Sequence, residues 1–175
     1  MRDVIRTGRL ELIAATPQLL DAEGDHRQLS ILLNADIPAN WPTPLYDGDA
    51  RNFFHRVLTE NPETAGWTSW YILLVGEDGA KTLAGAVGAC GLPDPDGNMI
   101  IGYSMLDQFQ RKGYATEALR GFIEWAAQNP DLRRVAADTF PHLVASIRVL
   151  EKIGFTPCGP GTEAGTIGFE LRVQH

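Results

Sequence analysis

Cysteines and long hydrophobic runs are scarce in this sequence. There are two cysteines, Cys90 and Cys158, and neither belongs to a CxxC motif or to a Cys/His spacing typical of zinc sites. This pattern excludes a disulfide scaffold and predicts two reduced, partly buried thiols with no bound metal. The longest apolar run covers residues 70–75, whereas a membrane helix needs about 20 apolar residues. Because the amino-terminal stretch is charged and not apolar, we expect a cytoplasmic protein without membrane association.

Basic residues are fewer than acidic ones. Lys and Arg total 15 and Asp and Glu total 22, so the formal net charge is -7. Sequence-independent DNA binding requires a net basic surface, and a nucleic-acid partner is therefore not expected. An anionic ligand must be bound by a local site, because the overall field of the protein would repel it.

Length and composition indicate one globular domain spanning residues 1–175. The chain has 44% hydrophobic and 21% charged residues, close to the averages of globular proteins. No linker, low-complexity segment or internal repeat interrupts it. A chain of this size buries about 70% of its unfolded surface, which is enough for a core without disulfides or metals. Whether the domain forms a homodimer is left open by the sequence.

The spacing of apolar residues predicts a mixed α/β protein of the α+β type. Apolar runs and alternation predict strands at residues 9–13, 70–75, 82–90, 98–106, 134–138 and 166–173, with short strands from Phe155 onward. Helical spacing predicts helices within residues 17–34, interrupted by Gly24, and near residues 50–58, 115–126 and 143–153. Asp49 is the expected N-cap of the second helical region, and Gly154 the C-terminal stop of the last. A meander followed by alternating strands and helices predicts a mixed sheet with helices on both faces.

The segment most informative about function reads Gln110-Arg111-Lys112-Gly113-Tyr114-Ala115-Thr116 and leads from a predicted strand into the strongest predicted helix. A helix N-terminus carries unpaired N–H groups and a partial positive charge. Gly113 and Ala115 would let an anion approach the backbone, and Arg111 and Lys112 add two cations. These features favour a binding loop for a pyrophosphate or similar anion. An ordinary loop entering a helix is the alternative.

Other phosphate-binding motifs are missing or weak. The sequence has no GxxxxGK[ST] motif. Gly85, Gly88 and Gly91 have a spacing that superficially resembles a dinucleotide-binding turn, but they lie in a strand-like run with no helix after it. We therefore expect these glycines to serve strand packing, and a dinucleotide-dependent enzyme is a weaker alternative.

Several blocks of the sequence, in order, resemble the GNAT superfamily of acyl-CoA-dependent N-acyltransferases. Residues 110–115 match the family's pyrophosphate loop, Q/R-x-x-G-x-G/A. Ile101-Gly102-Tyr103 before this loop and Glu117-Ala118-Leu119 after it are typical of the RimJ/RimL-like branch, which contains ribosomal-protein N-terminal acetyltransferases. Residues 145–155 resemble the family's second conserved helix, and residues 7–12 its usual first strand. The resemblance covers nearly the whole chain.

The resemblance implies a GNAT fold with acetyl-CoA as cosubstrate and no metal. This fold is a mixed, mostly antiparallel sheet of about six or seven strands, with helices on both faces and a splayed parallel strand pair. A bulge within residues 103–107 would part that strand from its neighbour at residues 134–138, and acyl-CoA would lie in the opening. The implied cofactor-binding residues are Met105 and Leu106 through their backbone, and Gln110, Arg111, Lys112, Gly113, Tyr114, Ala115, Thr116 and Ser146.

The reaction implied by the resemblance is direct attack of an amine on the thioester within a ternary complex. Ser146 is the implied proton donor to sulfur, because the RimL-like branch has serine at that position. Asp138, Glu163 and Tyr103 are the candidates for the base. Ile100 and Leu143 depart from the family pattern, which commonly has an acidic residue and an asparagine at these two positions.

The implied acceptor is a protein N-terminal α-amine or a small-molecule amine. Trp41, in the proline-rich loop 38–44, and Phe53 and Phe54 are candidates to line one side of the acceptor groove, with contributions from Trp67 and Trp70. Core packing is the alternative, and for the two phenylalanines it is the favoured one. A catalytically silent acyl-CoA-binding or regulatory domain is the alternative, and the departures from the family pattern favour it.

Overall fold

A computed structural model describes residues 4–44, 46 and 48–174. The strands are β1 (Val4–Arg6), β2 (Leu10–Ala14), β3 (Ser69–Val75), β4 (Lys81–Ala89), β5 (Asn98–Met105), β6 (Arg134–Thr139), β7 (Thr156–Pro160) and β8 (Ile167–Arg172). The helices are α1 (Pro17–Ala22), α2 (His26–Leu33), α3 (Gly48–Glu60), α4 (Tyr114–Ala126) and α5 (Val144–Ile153). The strands form one sheet in the order β1-β2-β3-β4-β5-β6-β8-β7. The predicted mixed fold is confirmed.

The middle of the sheet is buried on both faces. All residues of β2 and the first five of β3 are buried, including Glu11, whose carboxylate accepts hydrogen bonds from Arg6 and Lys81. Among the described residues the sheet has eight strands, and of these β1 is the one that the sequence did not predict. Because β1 has three residues, its apolar alternation is too short to recognise.

Aromatic side chains fill the core between the sheet and helices α4 and α5. Trp70 is fully buried, and its ring centroid lies 6.2 Å from that of Phe122 and 5.1 Å from that of Trp125. Trp67 packs on the same cluster, 5.0 Å from Trp125. The expectation that Trp67 and Trp70 contribute to an acceptor groove is therefore wrong, because both rings pack in this core.

A second core, between the sheet and α1–α3, includes Trp41. Its side chain is 3% exposed, and its ring lies 5.5 Å from Tyr46 and 6.1 Å from Tyr71. Both tyrosines donate hydrogen bonds to the buried Glu23 carboxylate, at 2.9 and 2.5 Å. Burial raises the pKa of Glu23 despite these two hydrogen bonds. Trp41 is thus a core residue and does not line an open groove as the sequence predicted.

Helix α3 differs from the prediction at its start and on its apolar face. It begins at Gly48, so Asp49 lies in the first turn and is not the N-cap. Phe54 stacks on Tyr46 at 6.1 Å and belongs to the second core, while Phe53 is 37% exposed. Of these two candidates for the acceptor groove, Phe54 packs on the core, as favoured, and Phe53 faces solvent.

The first helical region is divided as predicted. The Thr16 side chain caps α1 by accepting a hydrogen bond from the Leu19 N–H, and Asp25 caps α2 in the same way. Gly24 lies between the two helices. No helix within residues 4–44, 46 and 48–174 is long and apolar enough to cross a membrane.

The parallel pairing of β5 with β6 is short and leaves an opening in the sheet beyond it. It consists of the pairs Asn98–Arg134, Met99–Val135 and Ile100–Ala136. Beyond them the two strands separate, as the splayed pair was expected to do. The expected bulge in residues 103–107 is absent, because β5 pairs with β4 in unbroken register through Met105. The register shift lies instead between β3 and β4, where Ala84 is the extra residue.

Two glycines let β4 pack closely against its surroundings. A Cβ at Gly85 would overlap the carbonyl oxygen of Ser104, and one at Gly88 would overlap that of Thr68. Both glycines therefore serve strand packing, as predicted, and a dinucleotide-binding turn is excluded at these positions.

Replacing Gly88 with alanine should lower the free energy of unfolding by about 2 kcal/mol or more, because the new Cβ would overlap the Thr68 carbonyl and force the backbone to move. Gly24→Ala is the matched control, since its Cβ would meet no atom within 4 Å. Chemical denaturation of both variants measures the difference. Equal unfolding free energies would contradict this packing.

Candidate active site

The opening between β5 and β6 is lined by backbone groups of alternate β5 residues. The Cys90 N–H donates to the Ile100 carbonyl at 3.0 Å, and the Leu106 N–H donates to the Ala84 carbonyl at 2.9 Å. Even-numbered residues of β5 therefore direct their backbone groups towards β4, and Tyr103 and Met105 direct theirs into the opening. The Met105 N–H faces the opening, and its contact with the cofactor stays a prediction. The prediction for Leu106 is wrong, because its N–H already has a partner on β4.

A tight turn connects β5 to helix α4. Residues Asp107–Phe109 form one 3₁₀ turn. The Gln110 side chain then donates hydrogen bonds back to the Met105 carbonyl at 3.1 Å and to Asp107 Oδ1 at 3.0 Å. Arg111 and Gly113 adopt left-handed backbone conformations, with φ of 59° and 82°. Glycine at position 113 permits this at low cost, whereas Arg111 needs the surrounding contacts to hold it.

The start of α4 has the geometry of an anion site. The Glu117 N–H bonds to the Gly113 carbonyl at 3.0 Å and begins the helical hydrogen-bond pattern. Within the described part of the chain, the backbone N–H groups of residues 111–116 have no acceptor. The side chains of Arg111 and Lys112 are exposed beside them. Unpaired N–H groups, the helix dipole and two cations therefore coincide, as the sequence predicted.

An ion pair between distant parts of the chain anchors this loop. Glu117 Oε2 accepts from Arg9 Nε at 2.7 Å, and Oε1 accepts from the Arg9 backbone N–H at 2.7 Å and from Thr7 Oγ1 at 2.6 Å. The Arg9 guanidinium also donates to the Lys112 carbonyl at 3.2 Å and lies 4.5 Å from the centre of the Tyr114 ring. Arg9 thus ties β2 to both the loop and the helix.

The contacts of Arg9 and Thr7 with Glu117 were not predicted from the sequence. Both segments were recognised as family blocks, but nothing in a single sequence indicates that they touch. Partial burial by itself would raise the pKa of Glu117. The hydrogen bonds from Thr7 and Arg9 outweigh that effect, and the pKa lies below its ordinary value.

Tyr103 and Ser146 meet across the opening. The Tyr103 hydroxyl lies 3.0 Å from Ser146 Oγ and donates to the Ser146 carbonyl at 3.1 Å. Burial raises the pKa of Tyr103, although the hydrogen bond with Ser146 partly opposes this. The phenol therefore stays protonated at neutral pH, which suits a donor and argues against a role as base. Leu143, the residue before α5, provides no side-chain cap.

Asp138 and Glu163 do not join the Tyr103–Ser146 pair. On β6, Val135 and Ala137 face the core beneath α4 and α5, so Asp138 faces the opposite side of the sheet. Its Oδ2 accepts from the Thr162 N–H at 2.7 Å and from the Thr162 hydroxyl. Glu163 is exposed between β7 and β8, where its carbonyl accepts from Thr166. The four catalytic candidates therefore lie in separate groups.

The described residues contain no group of three or more His, Cys, Asp or Glu side chains that could hold a metal ion. Cys90 and Cys158 are free thiols and lie exposed, not partly buried as predicted.

These features match a known family. Residues 9–156 match the family model described as "Acetyltransferase (GNAT) domain". This chain belongs to the GNAT acetyltransferase family. It is 31% identical to the uncharacterized N-acetyltransferase YjdG of Bacillus subtilis over 87% of this chain and 89% of that protein. The acetyltransferase is an acyl-transferring enzyme, in agreement with the expectation from the sequence.

Solved structures share the fold of this acetyltransferase. RimL, the ribosomal L7/L12 alpha-N-protein acetyltransferase in complex with coenzyme A, has a TM-score of 0.64 at 19% identity and covers 98% of each chain. The ribosomal-protein-S5-alanine acetyltransferase of Vibrio fischeri has a TM-score of 0.66 at 16% identity, covering 98% of this chain and 97% of that one. At these identities the likeness establishes the fold, and the acceptor must be argued from this chain's own residues.

Replacing Glu117 with glutamine should lower the free energy of unfolding at pH 7 by about 1–3 kcal/mol, because charge-assisted hydrogen bonds to Arg9 and Thr7 are weakened. The folded pKa lies below the ordinary value of 4.5, so Glu117 stabilises the fold above that pH. The contribution is lost as the pH falls through the folded pKa. Glu124→Gln, on the exposed face of the same helix, is the control.

Chemical denaturation at pH 7 and below about pH 4 tests this ion pair. The difference in unfolding free energy between wild type and Glu117→Gln should be smaller at the acidic pH. A deficit that is the same at both pH values, or no larger than that of Glu124→Gln, would show that the ion pair does not anchor the loop.

Proposed function

We propose that this acetyltransferase transfers the acetyl group of acetyl-CoA to a primary amine, either a protein N-terminal α-amine or a small-molecule amine, by direct attack in a ternary complex. The observation that carries the proposal is the position of the unpaired N–H groups of residues 111–116. These N–H groups lie at the end of the opening between β5 and β6, and the Tyr103–Ser146 pair lies across that opening.

The residues around the opening fit a coenzyme A molecule. The N–H groups of residues 111–116 would bind its pyrophosphate, with Arg111 and Lys112 adding positive charge. Gln110 would keep the loop closed against Met105 through its bond to the Met105 carbonyl. The backbone N–H groups of Tyr103 and Met105 are the donors available to the pantetheine arm and the thioester oxygen. The fold neighbour RimL, which holds coenzyme A in its structure, supports this assignment.

Acetyl-CoA supplies an acetyl thioester, whose C–S bond breaks as the amine nitrogen forms a bond to the acyl carbon. The nitrogen gives up one proton, and the sulfur receives one, so the products are an N-acetyl amide and a free thiol. Ser146 Oγ is the proton donor to sulfur and regains a proton from solvent, while the Tyr103 hydroxyl, which donates to the Ser146 carbonyl, holds Ser146 in place.

Asp138 is the favoured acceptor of the proton released by the amine. Of the three candidate bases, Tyr103 stays protonated and Glu163 lies in an exposed turn, whereas Asp138 lines a cavity beside the opening. An α-amine, with an ordinary pKa of about 7.7–8.0, needs only modest help near neutral pH, and a lysine side chain needs more.

Substitutions at Gly113 test the pyrophosphate site. Gly113→Asn and Gly113→Asp add side chains of nearly equal size at a left-handed position that asparagine tolerates, so they differ chiefly in charge. We expect the aspartate variant to bind coenzyme A at least tenfold more weakly than the asparagine variant, since its carboxylate would face the phosphates and pair with Arg9. Calorimetric titration measures both affinities, and equal values would contradict the site.

Substitutions at Ser146 and Tyr103 test the proton donor. Ser146→Ala should lower kcat by about 100-fold, a typical contribution of a general acid, while the affinity for acetyl-CoA changes little. Tyr103→Phe should lower kcat by a smaller factor, because Ser146 keeps its hydroxyl. Thiol release measures turnover, and calorimetry measures binding. Unchanged turnover in Ser146→Ala would remove the serine from the reaction, and a wild-type chain that binds acetyl-CoA without acetylating any amine would be a silent binding domain.

A further inference from the structure

The sheet face opposite α4 and α5 is open over β5 and β6. On this face the Ile100 side chain is 43% exposed, and the nearby Leu92 side chain is 44% exposed. A Cβ added at Gly102 would meet no atom within 4 Å. A cavity of about 290 Å³ lies here, and its apolar lining includes Ile100, Leu92 and Ala136. Exposed apolar side chains that border a concave surface are typical of a binding site.

The cavity adjoins the opening between the two strands. Ile100–Ala136 is the last residue pair of the parallel ladder, so the cavity floor ends where the strands separate. On the other face, α4 and α5 pack over the sheet and Tyr103 meets Ser146. An amine that enters from the cavity therefore reaches the opening without passing these helices, from the side opposite the proposed proton donor.

Carboxylates outnumber cations around this cavity. Hydrogen bonds from the Asn98 backbone and side chain and from the Asp96 backbone hold the pKa of Asp94 below its ordinary value, so Asp94 is charged. Asp138 also lines the cavity, and Thr162 bonds to its Oδ2 only, within the described residues. The nearby cation, Arg134, is paired with Glu170 at 2.9 Å. The cavity thus has an apolar floor and net negative charge.

We propose that this cavity selects primary amines whose neighbouring group is neutral and apolar, such as an amino-terminal residue in amide linkage, and rejects free amino acids. The inference rests on the proposed acetyl transfer and concerns its acceptor. The positive ammonium group is attracted by Asp94 and Asp138, and the apolar side chain packs on Ile100 and Leu92. A free carboxylate beside the amine would approach the same two aspartates and be repelled, because Asp94 and Asp138 outnumber the Arg134 guanidinium, which already pairs with Glu170.

The test compares L-leucinamide with L-leucine as acceptors for the purified full chain, with saturating acetyl-CoA and thiol release as the readout. We expect kcat/KM to be at least tenfold higher for the amide. Part of any difference arises from the unequal basicity of the two amines in solution. That part is the same for every variant, so a change in the amide-to-acid ratio between variants measures the contribution of the cavity to acceptor selectivity.

Ile100→Lys adds a cation to the cavity floor and should lower the amide-to-acid ratio at least tenfold. Ile100→Gln is the matched control, since it removes the apolar side chain without adding charge, and its ratio should stay within about threefold of the wild-type value. Because Ile100 is exposed, both variants should fold. Asp94→Asn removes a carboxylate from the cavity and should also lower the amide-to-acid ratio.

A tripeptide amide that begins with leucine is then compared with leucinamide as acceptor. A higher kcat/KM for the tripeptide indicates a peptide acceptor, and a lower one indicates a small-molecule acceptor.

Three outcomes would overturn the inference. Equal use of leucine and leucinamide by the wild type contradicts it, and so does a ratio that Ile100→Lys and Asp94→Asn leave unchanged. Turnover of other amines without any turnover of leucinamide contradicts it while acetyl transfer stands. If acetyl-CoA raises the Tm but no amine is acetylated, the proposed transfer itself fails, and the inference fails with it.

Discussion

The separation of β5 from β6 after the Ile100–Ala136 pair is the constraint on which the site depends. Strand pairing normally satisfies backbone N–H and C=O groups, and an unpaired buried group is costly. Here Tyr103 and Met105 direct their groups into a gap, while β4 holds the other side of β5 in unbroken register. The interior of the sheet thereby gains a row of donors that an extended ligand such as a pantetheine arm can use.

The loop that follows β5 is conformationally unfavourable by itself and is held by distant contacts. Arg111 adopts a left-handed conformation, which costs a non-glycine residue free energy. Gln110 closes the turn against Met105, and Arg9 fixes its other end through Lys112 and Glu117. Because these contacts use side chains and carbonyls, the N–H groups of residues 111–116 remain available for an anion. The chain's own contacts thus hold the loop in the shape that an anion site needs, and such preorganisation lowers the entropic cost of binding.

The sequence predicted what depends on neighbouring residues and missed what depends on pairing at a distance. The loop at residues 110–116 and the strong helix after it are local patterns; the helix was confirmed as Tyr114–Ala126, and anion binding by the loop stays a prediction. The Arg9–Glu117 ion pair joins residues 108 positions apart, and no local pattern indicates it. The Leu106 N–H was predicted to face the ligand, but it bonds to the Ala84 carbonyl. The prediction failed because the direction of this N–H depends on the strand register, which no local pattern indicates. Trp41, in its proline-rich loop, was a candidate for the acceptor groove, yet it packs on Tyr46 and Tyr71 from other parts of the chain.

A crystal structure of the full chain with coenzyme A tests the central claim most directly. The account predicts the diphosphate within hydrogen-bond distance of the N–H groups of residues 111–116, about 3 Å between heavy atoms. It also predicts the pantetheine arm between β5 and β6 and the sulfur beside the Tyr103–Ser146 pair. A coenzyme A molecule bound elsewhere on the protein, with those N–H groups unliganded and the opening filled only by water, would contradict it.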